Sequence, residues 1–268
     1  MARGWQIAVG IVSAGAAVYV VHRLLGASPA LASTPFRPIR TPALPVVPSS
    51  ETPSSASPAI RHSVREWAPR LARLGGDVPL AASLAWLDQE SGGNVCSVGD
   101  KPPLGQTYPT EYGLSQLDAN NPENVAIMNQ ADARASCQNF GATRADWEKQ
   151  LRPLTDAERD RHAGKALDHM RSARAHARAL TAGWSWDPNG VDMWKMSKLY
   201  HAGPAYVQLA ATVAKTLGRP PRDFVEYQPL ANAAGLRAGR SQAALNKAWT
   251  NIANFAKRMM PLWGKDVA

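Results

Sequence analysis

Residues 84–94 read LAWLDQESGGN, an apolar helical pattern that carries one carboxylate, Glu90, to its C-terminal end. Gly92-Gly93 is a typical signal for the end of a helix, and we expect Asp77 to cap its start. Glu90 lies four residues after Trp86, on the same helix face, where burial favours the protonated carboxyl that a general acid needs. The sequence therefore predicts that Glu90 is catalytic. An ordinary solvated carboxylate at a helix end is the alternative.

Most of the remaining sequence carries helical patterns without convincing strand alternation. Thr155 and Glu158 have the spacing of a capping box, which predicts a long helix running to about residue 180. Further helices are predicted at residues 64–74, 193–200, 205–217 and 242–260. The sequence therefore predicts an all-α fold, with one small hairpin around residues 94–112.

The N-terminal part of the chain has a different composition. Residues 5–25 are almost entirely apolar and would make about 31 Å of helix, enough to cross a bilayer core. We expect residues 1–25 to be an uncleaved membrane anchor, because the apolar run is longer than that of a signal peptide; a cleaved signal segment is the alternative. Residues 26–60 are rich in Pro, Ser, Thr and Ala, which predicts an extended linker. The folded part is predicted to comprise a domain at 61–216 and a C-terminal helical extension at 217–268.

This organisation places the folded part outside the cytoplasm. We expect a single-pass inner-membrane protein with its domain in the periplasm, or a secreted protein if the N-terminal segment is cleaved. Such a compartment is oxidising, and the chain has two cysteines, Cys96 and Cys137. A disulfide between them is therefore expected, and two buried thiols are the alternative.

The chain carries a formal net charge of +9. A basic surface favours polyanionic partners, among them nucleic acid, anionic lipid and the acidic polymers of the bacterial cell wall. The sequence has no zinc-finger spacing, no Gly-rich phosphate loop and no aromatic-basic motif of an RNA-binding sheet. We therefore expect no nucleic-acid partner.

Three short motifs follow one another along the chain: ESG at 90–92, GLSQ at 113–116 and YHAGP at 200–204. In this order they resemble the signature of the lytic transglycosylases, the soluble-lytic-transglycosylase-like branch of the lysozyme superfamily. That signature reads Glu-Ser-Gly, then Gly-Leu-Met-Gln, then Ala-Tyr-Asn-Ala-Gly-Pro. The resemblance covers roughly residues 64–210 and implies a lysozyme-like domain.

The resemblance implies that Glu90 is the single catalytic acid and base. It would cleave the β-1,4 bond between N-acetylmuramic acid and N-acetylglucosamine in peptidoglycan and leave a 1,6-anhydro ring. Because the C6 hydroxyl attacks in place of water, neither a second carboxylate nor a metal or cofactor is needed. Asp88 points to another side of the helix, and no pattern singles out Asp100, Glu111 or Asp118. The resemblance also implies substrate contacts from Ser91, Gly113, Leu114, Gln116, Tyr200 and His201.

The sequence departs from the family pattern at three points. Ser115 stands where the family often has Met, and His201 stands where it usually has Asn. The spacing from Glu90 to Gly113 is 23 positions, longer than is common in the family. These departures affect the expected substrate contacts more than the reaction class.

Two other readings of the sequence remain open. One is a non-catalytic, wall-binding component of an envelope-spanning or virion assembly. The other is a hydrolytic muramidase on the same fold, which would need a group that positions water. A basic DNA-binding protein is a more distant alternative than either. The expected partners are glycan strands, the membrane through residues 5–25, and the proteins of an envelope or phage machine.

Overall fold

The structure, a computed structural model, describes residues 59–97, 99, 111–118 and 152–265. Helices account for most of these residues. In chain order the elements are α1 (His62–Arg65), α2 (Ala68–Gly75), α3 (Leu80–Glu90), β1 (Glu111–Tyr112), β2 (Leu117–Asp118), α4 (Asp156–Leu180), α5 (Val191–Ala202), α6 (Pro204–Val207), α7 (Leu209–Leu217), α8 (Phe224–Arg237) and α9 (Gln242–Met259), followed by a 3₁₀ turn, Met260–Leu262. The mostly helical content confirms the predicted fold class. None of these described helices is long and apolar enough to cross a membrane, and the predicted anchor at 5–25 lies outside the described residues.

The hairpin in the described residues lies later in the chain than predicted. β1 and β2 pair antiparallel, with Tyr112 opposite Leu117. Gly113 and Gln116 have φ values of 79° and 53°, and these left-handed conformations reverse the chain between the strands. Most of the range predicted to hold a hairpin, residues 98 and 100–110, lies outside the described residues.

Helix α3 is buried along most of its length, because residues 81–88 are all buried. Its N-cap position is Pro79, and no side chain caps it. The prediction of Asp77 as the cap is wrong, because two arginines of α4, Arg171 and Arg174, pair with the Asp77 carboxylate. These ion pairs tie the entrance of α3 to α4.

The long helix α4 begins at the predicted capping box. The Thr155 hydroxyl accepts a hydrogen bond from the backbone N–H of Glu158, and the Glu158 carboxylate accepts one from the backbone N–H of Thr155 at 2.8 Å. Helix α8 lies within the predicted C-terminal helical extension, although its bounds were not predicted, and it contains Pro229, a residue that is a signal against helix. The helices predicted at 64–74 and 205–217 each form as two shorter pieces.

Two apolar clusters form the core. The first surrounds Trp86 of α3, which is fully buried, and takes in Phe255 and Met259 from α9. The second lies among α5 to α9 around Tyr227. Helix α9 therefore docks on the domain that contains α3, and its Phe255 ring lies edge-on to Trp86 with centroids 6.1 Å apart.

A buried carboxylate, Asp88, links α3 to both ends of the described chain. It accepts hydrogen bonds from the backbone N–H and the Nε of Arg61, both at 3.0 Å, and from the Nε of Arg258 at 2.7 Å. Burial alone would raise the pKa of Asp88, but the hydrogen bonds from Arg61 and Arg258 outweigh it and lower this pKa below its ordinary value. Asp88 is therefore an ionised structural residue that points away from Glu90.

We expect Asp88→Asn to lower the free energy of unfolding by about 3 kcal/mol, because an amide cannot accept from both arginines. The carboxylate stabilises the fold above its unfolded-state pKa, and this contribution is lost as the pH falls through its lowered folded-state pKa. Urea denaturation at neutral and acidic pH measures both effects. Asp160→Asn removes ion pairs with Arg73 and Arg70 from a carboxylate that is 36% exposed, and it should change stability by less than about 1 kcal/mol. Equal losses from the two variants would contradict the assignment of Asp88.

Candidate active site

The Glu90 carboxylate lies at the C-terminal end of α3 and is 17% exposed. Its Oε1 pairs with the Nζ of Lys198, and its Oε2 lies 3.3 Å from the Nε2 of His201. Lys198 and His201 are three residues apart on α5 and so share one helix face. Both carboxylate oxygens of Glu90 therefore face nitrogen atoms from a single neighbouring helix.

Lys198 is almost completely buried, with a side chain 2% exposed. Its Nζ lies 4.4 Å from the centroid of the Trp86 ring, and Trp86 is one helical turn before Glu90. Burial lowers the pKa of the Lys198 ammonium well below its ordinary value. The Lys198 ammonium beside Glu90 therefore gives up its proton more readily than the ammonium of an exposed lysine does.

A second set of polar side chains extends from Glu90 through His201. The rings of His201 and His169 meet edge to face with centroids 4.9 Å apart. The Nδ1 of His169, a residue of α4, lies 3.1 Å from the hydroxyl of Ser115 in the β1–β2 turn. Glu90, His201, His169 and Ser115 thus form a continuous series of contacts between the three sequence motifs.

His169 is held as a neutral imidazole. Burial is the main cause that lowers its pKa well below the ordinary value, and the charge of nearby His201 adds to it. A neutral ring can act as donor or acceptor to Ser115, depending on which nitrogen holds the proton.

Stability should consequently fall as the pH is lowered from about 7 to 5, because the unfolded chain binds a proton at His169 and the folded chain does not. The expected slope from this residue approaches about 1.4 kcal/mol per pH unit. His169→Gln should remove that part of the slope, which urea denaturation of both proteins at several pH values would measure. Parallel stability curves for the two proteins would contradict it.

The motif at 113–116 forms the turn of the hairpin, and Leu114, Ser115 and Gln116 are buried. The Gln116 amide Nε2 donates to the carbonyl oxygen of Gly113 at 3.0 Å, across its own turn. Gln116 is also the one non-glycine residue with a positive φ in the described part of the chain. Its side chain therefore stabilises a strained turn, and sugar contacts from Gly113, Leu114 and Gln116 stay a prediction.

Ser91 closes the end of α3. Its hydroxyl lies 3.3 Å from the carbonyl oxygen of Leu87 and accepts from the backbone N–H of Gly93 at 3.1 Å. A side chain at Gly93 would meet the backbone of Ser63 at 2.6 Å. This close approach lets the segment around α1 pack directly against the end of the helix that carries Glu90.

Tyr200 lies on a different face of α5 from Lys198. Its ring stacks on His176 of α4, with centroids 4.6 Å apart and ring planes 12° apart. It also packs against both apolar clusters. The expected contact of its hydroxyl with Glu90 or a sugar stays a prediction.

The remaining predicted residues are only partly within the described chain. Cys96 is buried and disulfide-bonded, and Cys137, the other cysteine of the sequence, lies outside the described residues. Glu111 is exposed, and Asp100 is outside the described residues. In the part of the chain that the structure describes, no three His, Cys, Asp or Glu side chains come together as a metal site.

Sequence reasoning missed Lys198 and gave His169 and Ser115 no role in the site. The available signal was the spacing of Lys198 and His201, because a lysine three residues before a motif residue shares its helix face. No local pattern could have shown that His169, 54 residues beyond Ser115, meets it.

No protein-family model matches the chain, and no curated protein or solved structure is significantly similar to it. What this site does must follow from its own chemistry together with the motifs.

Proposed function

We propose that this protein is a peptidoglycan lytic transglycosylase whose single acid and base is Glu90. One observation carries the proposal: a series of contacts that ends at one carboxylate links the three motifs, which are far apart in the sequence. Glu90 comes from the first motif and His201 from the third, and Ser115 of the second reaches them through His169.

Two of the three departures from the family pattern support this interpretation, because they occur together. Ser115 and His201 are polar where the family often has Met and usually has Asn, and each of them contacts His169. A serine in place of a methionine provides the hydroxyl that the buried imidazole needs, since an unpaired buried polar group is costly. Both substitutions thus contact the same buried imidazole, and His201 in turn lies beside the carboxylate.

The geometry suits proton transfer at Glu90. The carboxyl is partly buried yet still 17% exposed, so a sugar oxygen can reach it. In the first step the carboxyl donates its proton to the glycosidic oxygen as the bond from C1 of the muramic acid breaks. In the second step the carboxylate takes the proton of the C6 hydroxyl while that oxygen bonds to C1. Glu90 ends the cycle protonated, and no water is consumed.

Lys198 explains how the carboxyl keeps its proton. The Nζ of Lys198 contacts the Glu90 carboxylate directly, so one proton can move between the two groups. Since burial disfavours the ammonium form of Lys198, a bound sugar that excludes water favours the arrangement with a neutral amine and a protonated carboxyl. That arrangement is the one that can start the reaction.

The same pair is the observation that favours a second candidate function. A carboxylate held by a lysine and faced by a histidine could be a structural ion pair in a groove that binds the wall without cleaving it. Such a protein would be a wall-binding component of an envelope or virion assembly.

Incubating the full-length chain with purified peptidoglycan separates the two candidates. The proposal predicts that soluble glycan fragments accumulate with time. Binding to the sacculus without any release of fragments would replace the enzyme with the non-catalytic component.

The location follows from the segments that precede the domain. We propose that residues 1–25 anchor the protein in the inner membrane and that the linker at 26–60 lets the domain reach the wall in the periplasm. An anchored enzyme opens the wall locally, which suits an envelope or phage machine.

A further inference from the structure

Helices α8 and α9 enclose a hollow of about 460 Å³ at the surface of the domain, outside the region that resembles the transglycosylases. Four side-chain amides line it, together with the indole of Trp249 and the hydroxyl of Thr250. The amides belong to Gln228, Asn232, Gln242 and Asn246. Its volume is within the range of small-ligand sites.

The polar groups of the hollow are already partly oriented. The Trp249 indole N–H donates to the Oδ1 of Asn232 at 3.0 Å, and the Gln242 Nε2 donates to the Oδ1 of Asn246 at 2.7 Å. These bonds use the asparagine oxygens, so each asparagine still has an NH₂ group to donate. Hydrogen-bonding groups fixed in advance lower the cost of binding a ligand.

The chemistry of the lining selects a neutral ligand. No lining residue is charged, although the chain carries a net charge of +9. A phosphate or carboxylate ligand would therefore find no paired cation here. Amides that donate and accept suit hydroxyl and acetamido groups, which also donate and accept and carry no charge.

Helix α9, which borders the hollow, also contacts α3, the helix that carries Glu90. Thr250 lines it, and the next residue, Asn251, accepts a hydrogen bond through its carbonyl oxygen from the Nε2 of Gln89 at 2.9 Å. Gln89 is the neighbour of Glu90 in α3. The hollow is thus connected to the proposed catalytic carboxylate through Asn251, this hydrogen bond and Gln89.

We infer that this hollow is a second glycan-binding site, which holds an N-acetylated sugar of a neutral β-1,4-linked strand. The inference rests on the proposed function for its choice of sugar. The site lies in the C-terminal helices, so it provides a contact with the wall that does not depend on Glu90.

The test measures binding of a β-1,4-linked N-acetylglucosamine tetramer to the full-length chain with Glu90→Gln, by calorimetry in a detergent without sugar headgroups. We expect the Gln242→Ala/Asn246→Ala variant to bind about tenfold more weakly, because both side chains are exposed and lose their hydrogen bonds without disturbing the core. Gln208→Ala is the matched control, since it removes an exposed amide elsewhere and should leave the affinity unchanged. The Trp249 indole N–H resonance should shift on titration in the parent and not in the double variant.

Each outcome bears on the inference alone. Binding that is unchanged in the double variant belongs to the groove at Glu90, and it would overturn the second site. Absence of tetramer binding would also overturn the second site. So would the finding that a wall stem peptide binds to the parent chain and no longer binds to the double variant. Fragment release from peptidoglycan by the chain with Glu90 intact decides the proposed function separately.

Discussion

Glu90→Gln is expected to slow the release of glycan fragments from purified peptidoglycan at least about a hundredfold, because the amide cannot donate or take the proton that the reaction moves. Glutamine has nearly the same size and can still hydrogen-bond to Lys198. The variant should therefore keep the thermal unfolding profile of the unmodified chain. Fragment release over time, measured for both proteins at equal concentration, gives the ratio.

Glu226→Gln is the matched control for this substitution. Glu226 also pairs with a basic side chain, Arg219 at 2.6 Å, and is 17% exposed as Glu90 is, but it lies in the first turn of α8, outside the three motifs. Its replacement should leave fragment release unchanged. If Glu90→Gln released fragments as fast as Glu226→Gln, Glu90 would not be the catalytic residue.

Lys198→Met is expected to make activity more sensitive to rising pH. With the amine present, one proton can move directly between Lys198 and Glu90, so a protonated carboxyl can form without taking a proton from water. Without the amine, the carboxyl must take its proton from water, where protons become scarcer as the pH rises. The activity ratio of parent to variant should therefore increase between pH 5 and 8 by up to about tenfold per pH unit.

Lys195→Met is the control for Lys198→Met. Lys195 lies one turn earlier on α5, is partly exposed, and pairs with Asp192 at 2.9 Å. Its replacement should leave the pH profile of fragment release unchanged. A constant ratio of parent to Lys198→Met activity across the pH range would mean that Lys198 only supports the structure.

The parts of the fold that depend on neighbouring residues could be predicted from the sequence. The end of α3 at Glu90 follows from local apolar spacing and the paired glycines, and the start of α4 follows from the Thr155 capping box. Helix α9 is found where its apolar pattern predicts it. Each of these signals acts within one or two helical turns.

The contacts that give the site its chemistry join residues distant in sequence, and for that reason the sequence did not show them. Lys198 pairs with Glu90 across 108 positions, and the local indication of this pair is limited to the position of Lys198, three residues before the motif residue His201. The local sequence predicts Asp77 as a helix cap, but in the structure its carboxylate pairs with two arginines nearly 100 residues away. The bounds of α8 were not predicted within the helical extension: it begins where Asp223 accepts from the Glu226 N–H, and it continues through Pro229.

The structure also supplies a group that the hydrolytic alternative was lacking. His201, whose Nε2 lies 3.3 Å from Glu90 and whose side chain is 15% exposed, could hold a water molecule near the carboxylate. A muramidase on this site would then use Glu90 as its acid and that water as the nucleophile. The two reactions leave different ends on the released glycan: a 1,6-anhydro end from the transglycosylase and a reducing end from the muramidase.

Mass spectrometry of the muropeptides released by the full-length chain in heavy-oxygen water tests the central claim most directly. Ring closure by the C6 hydroxyl predicts 1,6-anhydro ends without heavy oxygen, and none from the Glu90→Gln chain. Reducing ends that carry heavy oxygen would show that water attacks, and would contradict the assignment of this protein as a lytic transglycosylase.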